Sequence, residues 1–124
     1  MVSPVIYVVS DSLGETAEFV ARAAASQFNA DEKFDIRRVP YVTDKQILED
    51  VVEEASDTCG IIAYTLVIPG LKEELERLTQ LHNIPAVDIM GPLLEALSKA
   101  TSTKPKMEAG LLHRLDDQYF RRVE

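Results

Sequence analysis

Apolar residues in this chain follow two alternating patterns: short unbroken runs, and longer stretches in which they recur every three or four positions. Residues 4–9 (PVIYVV), 60–68 (GIIAYTLVI) and 84–90 (IPAVDIM) are runs of the first kind. Such segments, rich in branched side chains, suit strands covered on both faces, as in a parallel sheet. The run at 60–68 is the strongest and reads as a central strand. Residues 34–41 (FDIRRVPY) make a weaker strand, in which Pro40 lacks an amide and Arg37 and Arg38 resist burial. These features put it at an edge.

The second pattern predicts four helices. The first spans about 14–28, with Ala17, Val20, Ala24 and Phe28 as its apolar stripe and alanines that let it approach the sheet. Thr43 and Gln46 read as a capping box opening the second helix, with Val42 and Ile47 at the flanking staple positions. Ile47, Val51 and Ala55 face inward there, opposite a solvated face of Glu49, Asp50, Glu53 and Glu54. After the Pro69-Gly70 break, Leu71, Leu75, Leu78 and Leu81 stripe the third. Gly91-Pro92 opens the fourth, since proline suits a first helical turn, and Leu93, Leu94 and Leu97 supply its buried side. Residues 101–110 read as a linker, and 116–124 as a helix without a stop signal, whose Phe120 and Val123 look for a further surface.

Strand and helix alternate with short connections, which predicts right-handed crossovers. The expected fold is α/β: a Rossmann-like three-layer domain over 1–100, with a four-stranded parallel sheet in the order 2-1-3-4 and helices on both faces. The winding reverses between strands 1 and 3. Ligands of such sheets bind outside the carboxyl ends of the strands at the reversal. Residues 8–16 (VVSDSLGET) leave strand 1 there, beside Tyr64 and Thr65 at the end of strand 3.

Composition narrows the partners. The chain has 124 residues, enough for one domain, and a formal charge of -8. That balance repels a polyphosphate backbone and argues against nucleic acid. Cys59 is the lone cysteine, which excludes an internal disulfide and suits a reducing, cytoplasmic setting. It reads as a small buried hydrophobe. No apolar run is long enough to span a membrane. His82 and His113 offer no zinc spacing, and no metal is expected; His82 reads as a helix-end residue. Neither a P-loop (G-x-x-x-x-G-K-[ST]) nor a G-x-S-x-G elbow occurs.

The turn after strand 1 carries the candidate chemistry. Ser10, Ser12 and Thr16 offer hydroxyls, the amides of the following helix point to the same place, and Gly14 lets an anion approach the backbone. This is good chemistry for a phosphate. Ser12 and Glu15 also form an S-x-x-E capping box, which would account for both without a ligand. Asp11 and Glu15 add negative charge, so a bound dianion needs a cation or an arginine. Arg37 and Arg38 are candidates for that role, and Asp11 for orienting a hydroxyl or holding a cation. Tyr64 and Thr65 are candidates by position, with core packing the default for Tyr64.

The segment Val8-Val9-Ser10-Asp11-Ser12-Leu13-Gly14-Glu15-Thr16-Ala17-Glu18 resembles the N-terminal signature of the pyruvate, phosphate dikinase and phosphoenolpyruvate synthetase regulatory proteins. Ser26-Gln27-Phe28, Arg37-Arg38-Val39-Pro40-Tyr41-Val42, Tyr64-Thr65-Leu66-Val67, Asp88-Ile89-Met90-Gly91-Pro92-Leu93 and the stretch from Asp116 to Glu124 are similar to further landmarks in the same order. The resemblance implies a bifunctional regulator. It would use ADP to phosphorylate a threonine of the dikinase, and inorganic phosphate to remove that group with release of pyrophosphate. It also implies that 101–124 lead to a C-terminal P-loop kinase domain that this sequence lacks, so that the fragment alone is inactive. The implied partners are the dikinase or the synthetase, that domain, and a second copy in a possible homodimer. Two other readings stand beside it: a flavodoxin-like module binding phosphate or FMN, and a non-catalytic docking or dimerisation domain. A receiver domain is excluded, because strand 3 ends at Tyr64-Thr65 without a phosphorylatable aspartate.

Overall fold

The first apolar run forms β1 (Val5–Ser10), flanked by β2 (Asp35–Val39) and β3 (Ile61–Thr65), with β4 (Ala86–Asp88) outermost. A computed structural model describes residues 4–28 and 34–111 of the chain. All three pairings are parallel and the order is β2-β1-β3-β4, as the sequence pattern predicts. The weak strand with its arginines is indeed at an edge. β3 ends at Thr65, short of the predicted Ile68, because the amides of Val67 and Ile68 turn away to the Asp11 carboxylate.

The two faces of the sheet are unequal. On one, α2 (Lys45–Asp57) and α3 (Leu71–Leu81) bury Tyr7, Val9, Ile62 and Tyr64 under Leu48, Val52, Ala55, Leu75 and Leu78. On the other, α1 (Glu15–Ala25) covers Val8 and parts of Ile6 and Ile36. The contact line of α1 is Ala17 and Ala21, four residues apart, because small side chains let the helix seat directly on the branched strand residues. Val20, Ala24 and Phe28, predicted to be buried, are exposed instead. Phe28 turns outward to meet Phe34 edge-on at 5.7 Å.

Four other local expectations are corrected. The cap of α2 is Asp44, whose Oδ1 accepts from the Ile47 amide at 3.0 Å, while Gln46 reaches forward to Asp50 rather than back to Thr43. Leu81, in the last turn of α3, has run past the sheet and is exposed. Cys59 is exposed, in a left-handed conformation (φ 55°) that reverses the chain between α2 and β3. No residue of α4 (Gly91–Thr101) is buried, and Leu93 and Leu97 are exposed. The helix starts where Asp88 Oδ1 accepts from the Gly91 amide at 2.8 Å, and it then runs clear of the sheet. Phe120 and Val123 lie outside the described residues.

Two buried phenols tie the larger core to polar groups at its rim. The Tyr7 hydroxyl pairs with Thr58 Oγ1 at 2.9 Å, and that of Tyr64 donates to Glu76 Oε1 at 3.1 Å. Burial raises both above the ordinary phenol range, for Tyr64 with help from the negative charges of Asp88 and Glu76. The unfolded chain therefore loses these protons first as pH rises past about 10, so the stability they contribute is complete below that value and declines above it. Urea unfolding at about pH 11 is expected at a lower midpoint than at about pH 9. Tyr64→Phe should flatten that decline, and an unchanged slope would show that its phenol is not the source.

Candidate functional site

Ser10 ends β1 opposite Thr65 of β3, and this register puts their hydroxyls together. Thr65 Oγ1 donates to Ser10 Oγ at 3.0 Å, and the Ser12 amide donates to the same oxygen at 3.0 Å. Both side chains are buried, Ser10 to 2% exposure. They thus form the floor of the turn. Asp11 points sideways, and its Oδ2 accepts from the amides of Val67 at 2.7 Å and Ile68 at 2.8 Å. The third side is closed by the chain after β2. There the Val42 amide donates to the Ser10 carbonyl and the Tyr41 amide to the Ser12 carbonyl, both at 2.9 Å.

The predicted Ser12–Glu15 capping box does not form. The N-cap is Gly14, at φ 85°, a residue with no side chain to cap the helix. The left-handed residue moves the start of the helix to Glu15, two positions too late for Ser12 to serve as its cap. The first turn of α1 instead opens on a cavity of about 370 Å³. One wall is the turn itself, with Ser12, Gly14 and Thr16, above the floor of Ser10 and Thr65. The opposite wall is Met90, Leu93, Glu108, Gly110 and Leu111. The cavity therefore joins hydroxyls and a helix N-terminus, where partial positive charge collects, to an apolar side.

The two arginines separate, because neighbouring residues of a strand point to opposite faces. Arg37 turns to the α2 side, where it binds Asp35 Oδ2 at 3.0 Å and Glu54 Oε2 at 3.2 Å over the Tyr7 ring. It does not approach the turn. Arg38 lies beside it: its Cγ would be 3.2 Å from a Cβ on Gly14, and its guanidinium is bonded to Glu18. That bond holds Glu18 below the usual carboxylate range and Arg38 above its own. Among the described residues no lysine or arginine lines the cavity, whereas Asp11, Glu15 and Glu108 do. Tyr64 packs in the larger core, and its neighbour Asp88 pairs with Lys72 at 2.9 Å.

Sequence reasoning missed the apolar wall. Residues 108–111 lie in or next to a stretch that reads only as a linker, Met90 reads as the end of a strand, and Leu93 as an ordinary helix position. Nothing local in the sequence signals that they meet the turn. Among the described residues, no cluster of His, Cys, Asp and Glu is arranged to hold a metal, and no helix is long and apolar enough to cross a membrane.

A parallel sheet in this order defines a Rossmann-like α/β domain, with the hydroxyl-lined cavity at its winding reversal as the candidate site. The profile of the kinase/pyrophosphorylase family matches residues 6–124, and the chain belongs to that family. A protein of Halalkalibacterium halodurans is 48% identical over 121 residues, covering 98% of this chain and 44% of the relative. One of Carboxydothermus hydrogenoformans is 48% identical, covering 98% and 43%. One of Shouchella clausii is 46% identical, covering 97% and 44%. All three are pyruvate, phosphate dikinase regulatory proteins by name. The chain spans less than half the length of these relatives.

Proposed function

We infer that this chain forms the N-terminal part of a bifunctional regulator of pyruvate, phosphate dikinase, and that its switch-point cavity receives a phosphate-bearing group. In the whole protein, ADP would phosphorylate a target threonine. Inorganic phosphate would take the group back and leave as pyrophosphate. Nucleotide chemistry is assigned to the part of the relatives that this chain does not span, where the resemblance puts the P-loop. Residues 1–100 would then be a binding domain, and 101–124 the passage to the next one. Alone, the chain would bind but not catalyse.

The observation that carries this reading is the first turn of α1, whose N-cap is Gly14 and which opens on the cavity beside Ser12 and Thr16. Amides of such a turn donate to phosphate oxygens, and the hydroxyls add to them. With Arg37 turned away, the neutralising charge comes from Arg38 after release from Glu18, or from a cation carried by the ligand. The proposal is tested by titrating the chain with inorganic phosphate, pyrophosphate, ADP and a phosphothreonine peptide while following amide shifts. Residues 10–16 are expected to respond to at least one, and Ser12→Ala with Thr16→Ala to weaken that response about tenfold or more, as for two lost hydrogen bonds to a charged group. Silence of 10–16 toward all four ligands would reject the site.

A further inference from the structure

The cavity lies between two unlike halves of the molecule. Its floor and turn belong to the sheet, where Ser10 and Thr65 are buried and cross-bonded. Its other wall belongs mainly to residues 90–111, in which α4 is lightly held by the other described elements. α4 has no buried residue and, among the described residues, packs extensively on no other element. It is fixed at its start by the Asp88 carboxylate on the Gly91 amide. Its end turns at Ser102, left-handed at φ 55°, and the following chain turns again at Met107, at φ 59°. The chain then comes back over the cavity, and a Cβ on Gly110 would sit 3.4 Å from Ser12 Oγ.

The two left-handed residues, Ser102 and Met107, set the path of this segment. Here the path brings Glu108, Gly110 and Leu111 against the turn. A segment with few buried contacts is also the one that opens at least cost. We propose that residues 91–111 are a lid, which pivots next to Asp88 and closes the cavity when Gly110 seats on Ser12. The lid rests on the reading above in taking a phosphate-bearing group as what it encloses. Opening admits the ligand to Ser12 and Thr16. Closure brings Leu93 and Leu111 over it, beside Met90, and shields it from water.

Amide hydrogen exchange on the chain, with and without inorganic phosphate or pyrophosphate, tests this. Without ligand, residues 94–98 are expected to exchange about a hundredfold faster than residues 75–78 of α3. Equal protection of the two helices would overturn the lid. At a ligand concentration of about twice Kd, residues 12–17 and 94–98 should slow together, by about threefold. Slowing of 12–17 alone would leave the binding site standing and overturn the lid. If neither responds, the phosphate reading fails, and Gly110→Val decides the lid without ligand. Unseating the segment from Ser12 should then speed exchange at both 94–98 and 12–17 while α2 and α3 stay unchanged. Acceleration confined to 94–98 would overturn the lid. Gly110→Ala should act in the same direction more weakly, and replaces the valine variant if that does not fold.

Discussion

Asp11→Ala is expected to destabilise the protein by about 2–3 kcal/mol, with a fall of roughly 8 °C or more in Tm. One carboxylate oxygen accepts two amides, those of Val67 and Ile68, at 2.7 and 2.8 Å. Hydrogen bonds to an ionised acceptor are about twice as strong as neutral ones. Both amides belong to partly exposed surroundings, so water recovers some of the loss, which therefore stays below the cost of orphaning two fully buried donors. Asp11→Asn keeps an acceptor oxygen and should lose roughly half as much. Thermal unfolding of the three proteins checks this. Equal stability of wild type and the alanine variant would mean that the loop after β3 is not tied to the turn. The result also bears on function, because a carboxylate held by two amides is poorly placed to ligate a cation as well. Loss of ligand response in Asp11→Ala would thus be read as displacement of the turn.

The features legible in the sequence are those carried by repetition. Unbroken apolar runs at 4–9 and 60–68 locate the central strands, and Pro40 with Arg37 and Arg38 marks the edge. From these the sheet order and the position of the turn follow. What is not legible depends on single side chains choosing among nearby partners. Ser12 and Glu15 satisfy the pattern of a capping box, but Gly14 takes the cap position at φ 85° and leaves Ser12 in the turn. Thr43 and Asp44 compete for one helix end, and the carboxylate wins. Val20 and Phe28 fit a helical period as well as Ala21 does. The sheet beneath accepts the small residues, since Ile6, Val8 and Ile36 already fill the space between. The cavity's second wall is invisible for another reason. Its residues are brought to the turn by the path after α4, and no local pattern encodes a path.

Gly14→Val is expected to cost about 3 kcal/mol and to remove the response of residues 10–16 to phosphate-bearing ligands. Two effects contribute. A branched side chain in a left-handed conformation costs about 1–2 kcal/mol. Its Cβ would also lie 3.2 Å from Arg38 Cγ and 3.7 Å from Ser10 Cβ, and crowding of this kind adds about 1–3 kcal/mol. Gly70 shows a backbone cost without crowding, because its φ of 92° also disfavours a branched residue and a Cβ added there would meet nothing within 4 Å. Gly70→Val should therefore cost only the first part and leave ligand binding intact. Introducing Gly14→Val into an Arg38→Ala background should recover much of the second part, and such a cycle measures the contact directly. If Gly14→Val costs as much in the Arg38→Ala background as in the wild type, the close packing of Arg38 against the turn is wrong. If that cycle restores stability but not binding, Arg38 is needed at the cavity for its charge. Its bond to Glu18 would then be the resting position from which the ligand draws it.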